Sequence, residues 1–407
     1  MKEIEIISSK SDTHRALIGR ALAEITGGKV PEIIYQGDSL DIDATCDCLE
    51  IIKGKGEDRR ILCCRESGST LRFLLPIAGA LGMGCEFHME GRLPERPLLH
   101  LRDELEAHGQ KISRDGEGVL ICEGKLRPGE YRIPGNISSQ YISGLLMALP
   151  LLEEDSRIIV EGEMESAPYV DMTLKTLREY GVEIVTEQED SYCIRGNQIY
   201  SRRDEYRVEG DWSSSAFWLV AGTIGKEPVK VKGLKLDSAQ GDREILKIIE
   251  DFRGTMEVLE GEEGMEVISF PSKLKGTRVD GRQIPDLIPI ISLMAAVAEG
   301  ETEIVNSARL RNKESDRIRS IAALLGNLNV EVKEKAHGLT IRGRKKELLK
   351  GGEVDSFNDH RIAMTAAIAS LVTKEPVEIW GSRAIKKSYP QFYEIFRQNF
   401  GNSIITR

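Results

Sequence analysis

Metal-binding and redox signatures are missing from this chain. Seven cysteines are present, among them the close pairs Cys46/Cys48 and Cys63/Cys64, but no two have the C-x-x-C spacing of a zinc knuckle or a redox motif. The six histidines form no H-E-x-x-H or similar ligand cluster. We therefore expect no catalytic metal, and read the thiols as small buried side chains kept reduced in a cytoplasm. No apolar run is long enough to cross a bilayer, and the chain does not open on a basic-then-apolar leader. A cytoplasmic protein with no membrane contact is expected. Positive charge is in deficit as well, with 56 Lys and Arg against 66 Asp and Glu and a formal net charge of −10. Such a balance argues against a nucleic-acid partner while leaving room for a locally basic cleft. A P-loop, a dinucleotide-binding glycine fingerprint and a nucleophile elbow are all absent, so no cofactor is expected either.

What the chain has in quantity is self-similarity. Six stretches open on polar or glycine-rich residues and continue as apolar helix dense in small side chains. They are KSDTHRALIGRALAEI from Lys10, GSTLRFLLPIAGALG from Gly68, SSQYISGLLMALPLL from Ser138, WSSSAFWLVAGTI from Trp212, PDLIPIISLMAAVA from Pro285 and DHRIAMTAAIASLV from Asp359. Their starts lie 58, 70, 74, 73 and 74 residues apart, a period to be read before any single motif. Helices apolar nearly all round belong inside a domain. Amphipathic helices that end near Gly or Asn and run into strand-like alternation accompany them, as in LRDELEAHGQKI, TLKTLREYGVEI, ILKIIEDFRGTMEV and IRSIAALLGNLNVEV. Each unit reads as βαβαββ, with parallel and antiparallel pairing mixed. A length of 407 residues suits two α/β domains of three units each, with Gly210-Asp211 as a spacer near the middle.

The polar openings are where chemistry can reside. A helix opening brings several N–H groups and the positive end of the helix dipole to one place. The first of them, SSKSDTHR (Ser8–Arg15), carries more than a cap needs: a Lys, hydroxyls and an Arg. RLPERPLLHL (Arg92–Leu101) sets Arg92 and Arg96 around two prolines, NDHRIAM (Asn358–Met364) puts Arg361 ahead of an apolar helix, and KKSYP adds Lys386 and Lys387. RLRNKESDRI (Arg309–Ile318) crowds four cations with Glu314 and Asp316; composition alone reads that as intrahelical ion pairs on a wet face. GRQIPD places Asp286 in the first turn of a very apolar helix, where it caps amides or serves as a base. Arg suits bidentate carboxylate or phosphate binding and Lys supplies a compact charge. Asp286 and Glu314 are the acids available for proton transfer, which asks for unlike pKa values. The residues thus describe a two-domain enzyme that acts on small polyanions by acid–base chemistry. A non-catalytic binding subunit of the same build is the contrasting reading, and the accumulation of costly charge argues against it.

Nine stretches, SKSDTHR, ESGSTLRFLLP, RLPERP, ISSQYISGLL, SAPYVDMT, IPD, RLRNKESDRI, NDHRIAM and KKSYPQF, occur in the order found in one family. Over essentially its whole length the chain resembles the 5-enolpyruvylshikimate-3-phosphate synthases (3-phosphoshikimate 1-carboxyvinyltransferases). The resemblance implies a two-domain inside-out barrel, each domain three βαβαββ units about a pseudo-threefold axis. One domain would hold residues 10–211 and the other 1–9 and 212–407, with crossings near 9–12 and 210–212. It implies transfer of the enolpyruvyl group of phosphoenolpyruvate to the 5-hydroxyl of shikimate 3-phosphate, in aromatic amino acid biosynthesis, by a monomer with small-molecule substrates and no metal or cofactor.

Carried over by position, the resemblance implies Asp286 as proton acceptor, Glu314 as proton donor and Lys10 as a further catalytic group. Shikimate 3-phosphate would be held by Lys10, Ser11, Arg15, Ser138, Ser139, Gln140, Ser166, Asp286 and Lys313, with Tyr169 on the ring side. Phosphoenolpyruvate would be held by Lys10, Gly68, Arg96, Gln140, Arg317, Arg361 and Lys387. Two positions depart from the pattern: Glu66 stands where the family has Asn, and Arg309 where some members have Asn. The related UDP-N-acetylglucosamine enolpyruvyl transferases present a Cys on the loop matching RLPERP; no Cys lies between Gly91 and Leu101 here.

Overall fold

Helices that are apolar nearly all round organise both halves of the protein, whose computed structural model describes residues 1–54, 59–115, 118–188, 191–261, 264–344 and 349–407. The chain divides into two compact units, one of Lys10–Tyr35 and Leu40–Val208, the other of Met1–Ser9, Gln36–Ser39 and Glu209–Arg407. Residues 36–39 and 209–211 thus group with the second unit instead of extending the first. Backbone pairing is the reason. The Ser8 N–H donates to the Gln36 carbonyl at 3.0 Å, Ser9 N–H to Glu209 at 2.8 Å and Asp211 N–H to Ile7 at 2.9 Å.

The first unit holds α1 (Lys10–Thr26), α2 (Leu40–Lys53), α3 (Gly68–Ala80), α4 (Leu99–Ala107), α5 (Ser139–Ala148) and α6 (Ala167–Glu179). Two four-stranded sheets flank them, in the orders Arg60–Arg65, Cys85–Met89, Leu120–Glu123, Lys111–Arg114 and Glu130–Pro134, Ser156–Glu161, Ser191–Ile194, Ile184–Gln188. In each, the first pair is parallel and the remaining pairs antiparallel, which is the βαβαββ pattern. The second unit holds α7 (Trp212–Ile224), α8 (Ile245–Asp251), α9 (Ile288–Val297), α10 (Arg317–Asn327), α11 (His360–Ala369) and α12 (Phe392–Phe400). Its sheet of Val229–Leu234, Gly264–Phe270 and Thr255–Gly261 gains its outer strand from the chain start, Lys2–Glu5, which pairs in parallel with Val229–Lys232. A second four-stranded sheet runs Arg278–Asp280, Glu301–Val305, Gly338–Arg342, Glu331–Lys335.

Two of the six repeats are reduced. The shortest, between Lys10 and Gly68, shows no hairpin among the described residues and keeps a two-stranded parallel pair, Ile33–Ile34 with Tyr206–Arg207. The last ends in three parallel strands, Gly352–Asp355, Val377–Trp380 and Ile404–Thr406, with no hairpin among the described residues. The irregular loops that join these elements carry positive φ values at Ser166 and Asn358, beside two of the polar openings.

Each unit has its own apolar core. In the second, Trp212, Phe217 and Trp218 of α7, nine residues of α9 and all ten of α11 are buried, at roughly 1.5–3 kcal/mol for each large side chain. Burial of whole helices leaves only their ends for polar work. In the first unit α3 and α5 cross so closely that a Cβ on Gly144 would lie 2.3 Å from the Arg72 carbonyl oxygen. Backbone cannot yield as a flexible side chain can, so Gly144→Ala is expected to cost about 1–3 kcal/mol of unfolding free energy. Urea unfolding measures it, and an unchanged midpoint would contradict the close crossing.

Candidate active site

Polar side chains gather at the helix openings of each unit. In the first unit Lys10 is the first residue of α1, and its Nζ donates to Asp41 Oδ2 of α2 at 2.7 Å. Arg15, one turn on, is buried: Nε donates to Thr173 Oγ1 at 2.8 Å, Nη2 to the Tyr169 carbonyl at 2.8 Å and Nη1 to that of Ser11. Burial pulls the Arg15 guanidinium down to about 10, still charged at neutral pH. Its role here is to hold α1 to α6, with Ser11 facing the same guanidinium through its carbonyl.

The openings of α3 and α5 are built alike. Ser67 caps α3 by accepting the Thr70 N–H at 3.2 Å, and Ser138 caps α5 by accepting the Gln140 N–H at 3.3 Å. Gln140 then bridges the two helices, accepting from Arg72 Nη1 at 3.0 Å and donating to Ser69 Oγ at 2.9 Å. Gly68 leaves room for two arginines, since a Cβ there would lie 2.4 Å from Arg72 Nη1 and 2.8 Å from Arg96 Nη1. Ser139 is the first residue of α5, and Ser166 precedes α6 in the left-handed region at φ 56°. Glu66 lies against Gly91, where a Cβ would meet its Oε2 at 2.4 Å.

In the second unit one guanidinium gathers three carboxylates. Arg317, 1 % exposed, donates from Nε to Asp359 Oδ2 at 2.8 Å, from Nη1 to Asp286 Oδ1 at 2.7 Å and from Nη2 to Glu314 Oε2 at 2.8 Å. The second Asp286 oxygen meets Arg361 Nη2 at 3.1 Å, and Arg361 Nη1 donates to the Asp286 carbonyl at 3.2 Å. Lys313 Nζ stands 3.9 Å from Asp286 Oδ1. Lys387 Nζ donates to the Asn358 carbonyl at 2.7 Å, on the loop that leads into α11. Arg309 donates to the Arg282 carbonyl at 3.2 Å.

These contacts set the charges. Burial alone would raise the Asp286 carboxyl, but Arg361, Lys313 and Arg317 overcome it and hold the group well below the usual carboxylate range. Burial lowers the Lys313 ammonium to about 8, against the opposing pull of Asp286. The Arg317 guanidinium stays charged despite burial, because Asp359, Glu314 and Asp286 surround it.

Two expectations are corrected. The charged run at residues 309–318 is not a wet helical face: α10 begins only at Arg317, and Lys313 and Glu314 lie in the loop before it. Arg317 is turned inward onto carboxylates from three segments, and the half-exposed pair is Arg311 with Asp316 at 2.8 Å. Asp286 lies two residues ahead of α9 and not in its first turn. The site also includes residues that the spacing left unmarked. Asp359 caps α11, accepting the Arg361 N–H at 2.9 Å while it binds Arg317; an Asp directly before an apolar helix was the available signal. Arg72, a lone cation in the apolar run LRFLLP, had to have buried partners. Asp41 and Thr173 gave no signal, being 31 and 158 residues from Lys10 and Arg15.

Comparison with known proteins places the chain in a family. The family model for EPSP synthase (3-phosphoshikimate 1-carboxyvinyltransferase) matches residues 1–396. The chain belongs to that family. The 3-phosphoshikimate 1-carboxyvinyltransferases of Clostridium kluyveri and Clostridium beijerinckii are 43% and 42% identical to it, each over 97% of this chain and 94% of their own length. Among solved structures, EPSP synthase from Acinetobacter baumannii superposes with a TM-score of 0.76 at 23% identity, covering 98% of this chain and 95% of that one. The enolpyruvyl transferase NikO from Streptomyces tendae gives 0.74 at 16% identity, covering 98% and 94%. At those identities the structures speak for the EPSP synthase fold alone.

Removing the buried guanidinium should expose its importance. Arg317→Met leaves three carboxylates without their common partner, at about 3–5 kcal/mol. Asp286 has a depressed carboxyl, so its contribution is full at neutral pH and is lost as acid protonates it. The destabilisation is therefore expected to be as large at pH 5 as at pH 7 and to shrink only below the ordinary carboxylate range, towards about pH 3. Urea unfolding at pH 7 and at about pH 3 measures this, and an equal loss at both would contradict the charge assignment.

Proposed function

We propose that the chain transfers the enolpyruvyl group of phosphoenolpyruvate to the 5-hydroxyl of shikimate 3-phosphate and releases phosphate. Family membership supports the reaction. The observation that carries the assignment of roles is the pair of acids, Asp286 and Glu314, held on one buried guanidinium with Arg361 on the other oxygen of Asp286. An acid pair fixed this way needs no reorganisation when charge develops next to it.

In this reading Glu314 gives a proton to the methylene carbon of phosphoenolpyruvate, with Lys10 as a further participant. The 5-hydroxyl oxygen attacks the adjacent carbon and its proton passes to Asp286, forming a tetrahedral adduct. Loss of a methyl proton and of phosphate then regenerates the double bond as an enol ether. The carboxylates counter positive charge at the attacked carbon, and Arg317, Arg361, Lys387, Arg96 and Lys10 counter the negative charge of phosphoenolpyruvate, with Gly68 and Gln140 against it. Ser138, Ser139, Ser166, Gln140, Ser11, Arg15 and Lys313 serve shikimate 3-phosphate. A base held well below its usual range is a weak one. An anionic ligand that draws on Arg361 and Lys313 relaxes that hold and makes Asp286 more basic when substrate is present.

A coupled phosphate-release assay with phosphoenolpyruvate and each of two acceptors, shikimate 3-phosphate and UDP-N-acetylglucosamine, tests the reaction. Turnover is expected with the first alone. Asp286→Asn and Glu314→Gln should each lower kcat by roughly 100- to 10,000-fold with the fold intact; near-normal turnover in both would overturn the roles. Arg96→Lys and Arg361→Lys keep charge but lose the planar fork. Each is expected to raise KM for phosphoenolpyruvate well above any change for shikimate 3-phosphate, and equal changes would remove both residues from the phosphoenolpyruvate side.

A further inference from the structure

A line of buried polar side chains joins three helices of the first unit and takes no part in the mechanism above. His14 of α1, Thr45 of α2, Thr70 of α3 and the α3 cap Ser67 are all buried. His14 Nδ1 lies 2.8 Å from Thr45 Oγ1, and Thr45 Oγ1 lies 2.6 Å from Thr70 Oγ1. The Thr70 hydroxyl donates to Ser67 Oγ at 2.7 Å, and the Thr70 N–H donates to the same oxygen at 3.2 Å. At the other end, His14 Nε2 is buried with no hydrogen-bond partner among the described residues.

Counting protons gives the line a direction. A hydroxyl has one proton to donate. Thr70 gives its proton to Ser67, so the short contact with Thr45 has to be filled by the Thr45 proton. The Asp41 carbonyl is a more distant acceptor, 3.3 Å from Thr45 Oγ1 and 3.5 Å from Thr70 Oγ1. Were Thr45 to donate there, two bare oxygens would face each other at 2.6 Å. With the Thr45 proton placed on Thr70, the contact with His14 needs a proton from the ring, and Nδ1 carries it. A neutral imidazole has one N–H, and burial, aided by Lys10 and Arg15, keeps this ring neutral by holding it well below the usual histidine range. Nε2 is then a bare lone pair, which suits its lack of a partner, since an orphaned buried N–H is the rarer defect.

Both ends of the line adjoin groups of the candidate site. Ser67 directly precedes Gly68, where a Cβ would lie 2.4 Å from Arg72 Nη1 and 2.8 Å from Arg96 Nη1. A displaced Ser67 therefore moves the backbone against which two cations pack. On α2, Asp41 stands one turn before Thr45 and holds Lys10 Nζ at 2.7 Å. We infer that His14 is a positioning residue for the α3 opening: as the Nδ1–H tautomer it starts the hydrogen-bond line through Thr45 and Thr70 to Ser67, and so fixes Gly68 and the arginines beside it for phosphoenolpyruvate. The part of this inference that concerns substrate rests on the function proposed above; the tautomer and the direction of the line do not.

Two measurements test it. The first is 15N NMR at pH 7 of ligand-free protein labelled at histidine, with the His14 ring identified by its shift in Thr45→Ser. Nδ1 should carry the proton and Nε2 should not. A proton on Nε2 reverses the line and overturns the inference. The second compares Thr45→Val, which keeps the shape of the side chain without its hydroxyl, with Thr45→Ser, which keeps the hydroxyl. Thr45→Val should raise KM for phosphoenolpyruvate roughly 3- to 10-fold, about the worth of one hydrogen bond, and leave KM for shikimate 3-phosphate nearly unchanged. Thr45→Ser should stay within about twofold of the wild type. Thr70→Val cuts the line one link later and should behave like Thr45→Val, which keeps the test open should either variant fail to fold. Unchanged KM for phosphoenolpyruvate in a folded variant, equal rises for both substrates, or a Thr45→Ser no better than Thr45→Val each overturn the positioning role; a lowered urea midpoint with unchanged KM would make the line structural only. Absence of wild-type turnover with shikimate 3-phosphate would count against the proposed function instead, and the NMR measurement would then decide the direction of the line by itself.

Discussion

The burial of Arg317 is the constraint on which the second unit's polar end depends. A guanidinium taken out of water costs several kcal/mol and is tolerated only with well-placed partners. Three carboxylates supply them, from the α11 cap, from the segment ahead of α9 and from the loop ahead of α10. Each donor–acceptor pair fixes the position of a different element, so the charge network does at the helix ends what apolar packing does along the helix bodies. The planar fork of Arg reaches three directions at once, which a Lys ammonium on a flexible stem cannot reproduce.

The first unit applies the same device with neutral partners. Arg15 ties α1 to α6 through Thr173 and the Tyr169 carbonyl, with its guanidinium 5.3 Å from the Phe73 ring centroid. Arg72 ties α3 to Gln140 of α5 and to the Pro97 carbonyl. Buried arginines thus set where the α1, α3 and α5 openings stand, and the residues at those openings inherit their positions. The apolar helices make this necessary: a helix buried on all sides has orphan amides and carbonyls only at its ends, and caps such as Ser67, Ser138 and Asp359 satisfy part of that demand.

Much of this was legible in the chain itself. The six apolar helices, the mixed βαβαββ pattern and the acids at 286 and 314 all follow from periodicity and from the quoted stretches. Hydrophobic period gives helices and strands because burial is a local property of a face. Partnerships across 31 to 158 residues, as in Lys10–Asp41 and Arg15–Thr173, leave no local trace, since any polar residue that the fold brings near will serve. The inward turn of Arg317 was hidden for a related reason: four cations and two acids within ten residues satisfy each other on paper, and only the tertiary placement of Asp359 and Asp286 draws one cation away. The reduced first and last repeats were obscured because their helices keep the period while the hairpins that define the full unit are missing among the described residues.

The central claim is that Arg317 and Asp359 are energetically one object. A double-mutant cycle measures this directly: Arg317→Met, Asp359→Asn and the double variant, each unfolded in urea at pH 7. A coupling energy of about 2 kcal/mol or more is expected, with the double variant less damaged than the sum of the singles, because Arg317→Met strands the Asp359 carboxylate only while that charge is present, and the loss of the guanidinium from Asp286 and Glu314 is common to both Arg317 variants and cancels in the cycle. Additivity within about 0.5 kcal/mol would mean that the two side chains contribute independently, and would contradict the account.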